Sequence, residues 1–163
     1  MTFEGYQKEA VKFRTETANN EEYLTLGLIE EVGEAAGKLA KRRRDGVWDE
    51  KAFIKELGDI LWFIANLADY YDERDDTSFT VGLNKCFEMD MATPSSDVCI
   101  MTDLALYAVK TSRGGNYFND VVAEVGGLAD KYGYTLEQVA EINLAKLRDR
   151  AARGQIHGNG DER

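Results

Sequence analysis

The chain has 163 residues, 44% of them hydrophobic, which suits a single domain with one packed core. Asp and Glu total 30 against 20 Lys and Arg, a formal net charge of −10, which argues against a protein that coats nucleic acid. No apolar run has the length of a secretory signal or a membrane span, and the two cysteines lack metal-ligand or redox spacing. We therefore expect a reduced, cytoplasmic protein that binds neither membrane nor nucleic acid.

Apolar residues recur three and four positions apart over long segments, which predicts an all-α helical bundle of about six helices. Asn20, Asp49 and Thr93 are predicted N-caps, and Thr135 with Gln138 forms a capping-box pattern. The predicted helices cover residues 2–16, 20–44, 49–71, 93–111, 117–132 and 135–150, with an irregular segment over 72–91 and a polar tail over 154–163.

Five acids on the second and third predicted helices form two groups with helical spacing. Glu30, Glu31 and Glu34 lie on one side of the second helix, and Glu56 and Asp59 lie one turn apart on the third, beside its apolar stripe. If the two helices pack antiparallel, the two groups face each other at mid-bundle. Carboxylates at such short distances raise one another's pKa values unless a cation binds between them. The alternative is that these acids form a solvated helix face. An isolated pair of acids at this spacing more often belongs to such a face.

The side chains available as metal ligands favour a hard cation. The only histidine, His157, lies in the tail, so the ExxH motifs of di-iron bundles are absent. Oxygen ligands select Mg²⁺, with Mn²⁺ as a substitute, and Mg²⁺ usually shares its shell with substrate phosphates. A phosphate substrate therefore follows more naturally than a purely structural ion.

The motif EEVGE followed by ELGD resembles the EExxE…ExxD signature of the MazG-like all-α nucleoside triphosphate pyrophosphohydrolases. GYQKEA near the start and NLAKLRDRAARGQIHGNGDER at the end resemble the corresponding parts of this family, including phage-borne members. The resemblance implies a MazG-like helical bundle and Mg²⁺-dependent hydrolysis of a (d)NTP to the (d)NMP and pyrophosphate. It also implies a homo-oligomer, either a dimer or a tetramer.

The same resemblance implies roles for the five acids. The metal ligands would be Glu31, Glu34, Glu56 and Asp59. Glu30 would bind a further ion or orient the attacking water, and its alternative interpretation is a surface acid.

Residues of the last helix match the family pattern near the phosphates. These are Asn143, Lys146 and Arg150, and their alternative interpretation is the cationic end of an amphipathic helix. The basic run 41–44 has the same two interpretations. Three aromatic residues are candidates for stacking on the base, or else belong to the core: Phe63, Trp48 and Trp62.

Residues 1–153 are predicted to form one domain in which 72–132 is an insertion or a degenerate internal repeat. LADYY at 67–71 recurs as LADKY at 128–132, and this offset aligns Asp59 with Asp120. A similar match between AKRRRDG and VKTSRGG aligns Glu34 with Asp103. The alternative is chance similarity between amphipathic helices.

Two further functions compete with the (d)NTP pyrophosphohydrolase. The first is a phosphoribosyl-ATP pyrophosphohydrolase or a relative of the dimeric dUTPases, which share an acid-rich helical architecture. The second is a non-catalytic helical interaction module that keeps its acids for solubility.

Overall fold

The computed structural model describes residues 1–75, 79–89, 93–113 and 115–155. These residues form seven α-helices and no β-strand, which confirms the all-α class. The helices are α1 (Phe3–Ala10), α2 (Glu21–Asp45), α3 (Glu50–Asp75), α4 (Phe79–Phe87), α5 (Asp97–Ser112), α6 (Phe118–Asp130) and α7 (Leu136–Ala152). Two short 3₁₀ turns, Val11–Phe13 and Glu16–Ala18, lie between α1 and α2.

Helices α2 and α3 form a long antiparallel hairpin whose ends are defined by the predicted signals. The Asn20 side chain accepts a hydrogen bond from the Tyr23 N–H at 2.8 Å, and the Asp49 side chain accepts one from the Ala52 N–H at 2.9 Å. Helix α2 stops at Gly46, whose φ of 70° is the left-handed conformation that glycine adopts without strain. These contacts confirm both caps and the predicted stop.

The hydrophobic core surrounds α3, which packs against α1, α2, α4, α6 and α7. The apolar stripes predicted for α2 and α3 are buried throughout: Leu28, Val32, Ala35, Leu39, Phe53, Leu57, Ile60, Ile64, Leu67 and Tyr71. Since Glu56 and Asp59 stand beside this stripe, the same packing also buries both carboxylates.

Helix α4 occupies a segment that was predicted to be irregular, so that prediction was wrong. Its apolar residues recur every fourth position, and Leu83 is fully buried. The rings of Phe87 and Phe3 lie 5.9 Å apart, and those of Phe79 and Phe118 lie 4.8 Å apart. The packing against α1 and α6 thus supports a short helix that its polar flanks obscured. Residues 76–78 and 90–92 lie outside the described residues.

The first helix is shorter than the predicted range 2–16. It ends at Ala10, where the chain continues as the 3₁₀ turn Val11–Phe13, and the Ala10 carbonyl accepts a hydrogen bond from the indole N–H of Trp62 at 3.2 Å. Beyond it Arg14 is extended, and its guanidinium pairs with Asp69 of α3 at 2.6 Å. The chain just after α1 is therefore held against α3 by the packing of Val11–Phe13 and by the Arg14–Asp69 ion pair.

Two other predicted helix starts had different outcomes. The N-cap before α5 is Ser96, which accepts from the Cys99 N–H at 3.2 Å, so the prediction of Thr93 was wrong by one turn. The capping box of Thr135 and Gln138 before α7 is confirmed. Of the predicted tail, residues 156–163, with His157, lie outside the described residues.

Helices α5 and α6 pack against each other, with α5 also on α2 and α6 also on α3. This arrangement is compatible with a second hairpin of the same type, and the internal repeat stays a prediction. Among the described residues, no helix combines the length and apolar character needed to cross a bilayer.

Candidate metal centre

Three acids from α2 and α3 converge at the middle of the hairpin. Glu31, Glu56 and Asp59 each place one carboxylate oxygen within 4.8 Å of the others. Glu56 and Asp59 are 8% and 9% exposed, because their one-turn spacing puts both beside the buried stripe of α3. The antiparallel packing then brings Glu31 opposite this pair. Oxygen ligands at such separations are a donor set for a hard divalent cation.

The other two predicted acids line the same cleft outside this group. Glu30 and Glu34 are exposed on α2 at the cleft wall. Glu34 nevertheless lies close enough for its charge to raise the pKa of Glu31. The structure therefore brings three of the four predicted ligands together and leaves the fourth one turn away.

Donors from two helices hold the buried carboxylates. The Asn143 Nδ2–H of α7 donates to Asp59 Oδ1 at 3.0 Å, and the Lys146 ammonium donates to Asp59 Oδ2. The Lys38 ammonium of α2 lies 3.1 Å from Glu56 Oε1. Asn143 and Lys146 thus lie at the cluster, and each contacts the same aspartate; their expected contact with the phosphates stays a prediction.

The pKa values of two acids in the cluster, Glu31 and Asp59, are raised. Burial, together with the charges of Asp59 and Glu34, raises the pKa of Glu31 from 4.5 to about 8. Burial also raises the pKa of Asp59, against the opposing charge of Lys146. At neutral pH the cluster therefore retains a proton on Glu31, which a bound cation would replace.

The cluster forms the floor of a cleft of about 1040 Å³. Among the described residues that line it, the charged ones are six acids and five cations. The acids are Glu30, Glu31, Glu34, Glu56, Asp59 and Asp149, and the cations are Lys38, Lys55, Lys146, Arg150 and Arg153. Since five cations do not outweigh six acids, a triphosphate in this cleft needs additional positive charge.

Aromatic side chains line the end of the cleft beyond Asp59. Phe63 is 6% exposed, and its ring lies against Gly27, where a Cβ would come within 2.2 Å of it. Trp62 packs edge-on against Phe63 at 4.9 Å, and Tyr23, 42% exposed, lies 5.9 Å from the Phe63 ring. Phe63 therefore supports this wall, while Trp62 and Tyr23 present more of their surface.

Trp48, the third aromatic candidate, lies outside the cleft. Its ring packs 5.2 Å from Phe53 and 5.1 Å from Tyr132, under the guanidinium of Arg42 at 4.5 Å. The basic run 41–44 also contributes no lining residue. Arg42 donates to the Tyr132 hydroxyl, and the two following arginines pair with Asp97 and Asp45. The arginines at this end of α2 therefore connect the helix to Trp48, Tyr132 and Asp97, which is a structural role.

Several cleft residues were missed by the sequence patterns. Lys55 and Arg153 line the cleft, as does Tyr23 from the first turn of α2. Tyr6 lies behind the cluster and donates to Asn143. A basic or aromatic residue on a helix carries no signal of which neighbour it faces, so only the α1–α3–α7 packing reveals them. Tyr6 does lie within the motif GYQKEA.

The comparisons with known proteins agree with this geometry. Residues 19–88 match the family model described as "MazG nucleotide pyrophosphohydrolase domain", a range that includes α2, α3 and α4 and all five acids. The Gene 37 protein of Mycobacterium phage L5 is 40% identical over 68 residues, which cover 39% of this chain and 60% of that relative. No solved structure matches the chain. The family resemblance read from the two acidic motifs is confirmed.

Proposed function

We propose that this chain, whose residues 19–88 match the model of the MazG nucleotide pyrophosphohydrolase domain, hydrolyses a nucleoside triphosphate to its monophosphate and pyrophosphate with Mg²⁺. The observation that carries the proposal is the group of Glu31, Glu56 and Asp59, whose oxygens lie within 4.8 Å of one another in a cleft that five cations also line. Glu34, one turn from Glu31, completes the ligand set from the cleft wall.

The donor set fits a small hard cation. The three oxygens are anionic or become so on binding, two of the acids are buried, and none of the three offers nitrogen or sulfur. When bound, Mg²⁺ neutralises triphosphate charge and lowers the pKa of a coordinated water, and Mn²⁺ can substitute for it. The chain itself fixes Asp59 with Asn143 and Lys146, so that its orientation does not depend on the ion.

The cations of α7 are placed to contact the phosphates. Lys146, Arg150 and Arg153 recur on the cleft side of α7 at steps of four and three. The Lys146 ammonium contacts Asp59, so it would stand beside the phosphate oxygens of a nucleotide bound at the cluster and could donate to them as well. Arg150 offers a planar guanidinium suited to two phosphate oxygens.

The aromatic end of the cleft suits the base. Along α3 the order is Lys55, then the two acids, then Trp62 and Phe63, so the acids separate a cationic end from an aromatic end. We assign base contact to Trp62 and Tyr23, with Phe63 as their buried support. The indole N–H of Trp62 is engaged by Ala10, so its ring plane is fixed before a base arrives. The base and sugar preferences stay open.

The proposed role of Glu30 follows from its exposure at the cleft wall. Its carboxylate stands outside the three-acid group, where it can orient the attacking water or hold a further ion. The homo-oligomer implied by the resemblance is likewise a proposal, which light scattering on the purified protein would test.

The test is product identification. The protein is incubated with Mg²⁺ and each common (d)NTP in turn, and the products are identified by phosphorus NMR. We expect a monophosphate and pyrophosphate from at least one nucleotide. Without a divalent cation we expect no product from any nucleotide. A diphosphate with inorganic phosphate, or no product from any nucleotide, would contradict the proposal.

A matched pair of variants ties turnover to the cleft. Glu56→Gln removes a charge from the buried group with almost no change in volume, and we expect it to abolish turnover. Glu22→Gln makes the same change at an exposed acid of α2 outside the cleft and should preserve it. Equal activity of both variants would remove the metal-centre assignment.

A further inference from the structure

Tyr6 is a buried tyrosine of α1 that lies behind the metal centre. Its side chain is fully buried, and its hydroxyl donates a hydrogen bond to Asn143 Oδ1 at 2.8 Å. Asn143 is itself 1% exposed and belongs to α7. A hydroxyl and an amide that are both withdrawn from water depend on each other for their hydrogen bonds.

Asn143 connects this hydroxyl to the cluster. A side-chain amide has one accepting end and one donating end, and the accepting end is taken by Tyr6. The donating Nδ2–H therefore faces Asp59 Oδ1, at 3.0 Å. Burial and the charge of Asp59 raise the pKa of Tyr6 well above its usual value, so the hydroxyl keeps the proton that it donates.

Close packing fixes the Cβ of Asn143, while hydrogen bonds orient its amide. A Cβ at Gly58 of α3 would lie 3.0 Å from the Asn143 Cβ and 3.4 Å from the Val139 carbonyl oxygen, so α7 rests directly on α3 here. On the other side the ring of Tyr6 packs edge-on against Phe3 at 6.2 Å. The Tyr6–Asn143–Asp59 chain thus joins three helices through one fixed amide.

We infer that Tyr6 is a positioning residue of the metal centre, which holds the Asp59 carboxylate through Asn143 in the orientation that binds the divalent cation. The inference rests on the proposed function. Without the hydroxyl, Asn143 Oδ1 is buried with no donor, so the amide turns or admits a water and Asp59 loses a fixed partner. Partners that orient metal ligands generally affect metal affinity by about 10- to 100-fold.

The first test compares two tyrosines that each lose only a hydroxyl. Tyr6→Phe should weaken Mn²⁺ binding, measured by electron paramagnetic resonance of free Mn²⁺, by about 10-fold. The control is Tyr71→Phe, because the Tyr71 hydroxyl donates to Glu21 at 2.7 Å, about three turns along α3 from Asp59. This control should bind Mn²⁺ as the unaltered protein does. Denaturant unfolding of each variant verifies that both remain folded.

The second test asks whether Tyr6 acts through Asn143. In an Asn143→Ala background the route from Tyr6 to Asp59 is cut, so adding Tyr6→Phe should not weaken Mn²⁺ binding further. A purely structural role of Tyr6 would instead give additive losses in the double variant.

The outcomes separate this inference from the function that it rests on. If the unaltered protein binds no Mn²⁺, the proposed function fails and the inference fails with it. If it binds Mn²⁺ and Tyr6→Phe binds equally well, or if the two losses are additive, only the positioning role of Tyr6 is overturned. Weaker binding by Tyr6→Phe alone, with no further loss in the double variant, supports it.

Discussion

Two helical pairs of this chain, α2 with α3 and α5 with α6, carry acids at positions that the predicted offsets align, yet their surroundings differ. In the first pair Asp59 is buried and belongs to a group of three carboxylates. In the second, Asp103 is exposed and Asp120 half-buried, and no comparable group forms there among the described residues. Their charges do reach Glu124, whose pKa is raised by burial and then by both aspartates.

The two pairs differ in the residues that the offsets align with Glu31 and Glu56. By the same offsets Ile100 stands in the place of Glu31 and Tyr117 in the place of Glu56. Ile100 is buried in the core, and the Tyr117 ring lies under the Lys110 ammonium at 4.9 Å. Among the described residues, acids on paired helices are therefore not sufficient to bring three carboxylates within 4.8 Å of one another. Deeper burial and fixed donors such as Asn143 distinguish the first pair.

The largest expected effect is on turnover. Asp59→Asn should reduce kcat/KM by more than about 100-fold, because losing a ligand should exceed the loss of a partner that orients one. Asp103→Asn combined with Asp120→Asn should change kcat/KM by less than about 2-fold, the range of a surface substitution. Steady-state kinetics measure both. A large loss in the double variant would show that the second pair participates in the reaction.

The next effect concerns stabilisation by the cation. At ten times its Kd, Mg²⁺ should stabilise the unaltered protein by about 1.4 kcal/mol, which corresponds to roughly 3–5 °C in Tm. Glu56→Gln should lose this increase, whereas Glu124→Gln in α6 should retain it. Thermal unfolding followed by circular dichroism makes the measurement, and retention of the increase in both variants would contradict the assignment.

The pH dependence of the metal-free protein should report on the buried acids of the first pair. The pKa of Glu31 is about 8 in the fold against a usual value of 4.5, so between these values the folded state keeps a proton that the unfolded chain releases. The free energy of unfolding then falls as pH rises, by up to about 1.4 kcal/mol per pH unit. Glu31→Gln should flatten this fall, and Glu22→Gln should not. Urea unfolding at about pH 5 and about pH 7.5 provides the test.

The smallest expected effect concerns two helical glycines. At Gly58 a Cβ would press on Asn143, so Gly58→Ala should weaken Mn²⁺ binding by roughly 2- to 10-fold, less than a full loss of the Asn143 partner. At Gly33 no atom lies within 4 Å of the added Cβ, so Gly33→Ala should leave binding unchanged and stabilise α2 by about 0.5–1 kcal/mol. Isothermal titration and urea unfolding measure the two quantities. Equal Mn²⁺ affinities would show that the approach of α7 to α3 does not matter to the site.

The sequence predicted the elements whose signals are local. The hairpin of α2 and α3 was predictable because its caps, its apolar stripes and its acid spacing all lie within two helices. Helix α4 and the early end of α1 were not, because they depend on packing against distant residues such as Phe118 and Trp62. No local pattern contains that information.

The same reasoning separates the parts of the site. The acids follow a motif with fixed spacing, and the resemblance to a family names Asn143, so the sequence could propose them as site residues. The burial of Phe63 against Gly27 and the link from Tyr6 to Asn143 require the positions of two other helices. Trp48 had two interpretations, base stacking or packing, and its ring contacts with Phe53 and Tyr132 agree with the second.

The most direct test of the account is the location of a bound paramagnetic ion. When Mn²⁺ is titrated into ¹⁵N-labelled protein, we expect the backbone amide signals around Glu31, Glu56 and Asp59 to broaden first. The signals around Asp103 and Asp120 should stay sharp at the same Mn²⁺ concentration. Broadening centred on α5 and α6, or no site-specific broadening at any concentration, would contradict the assignment of the metal centre to α2 and α3.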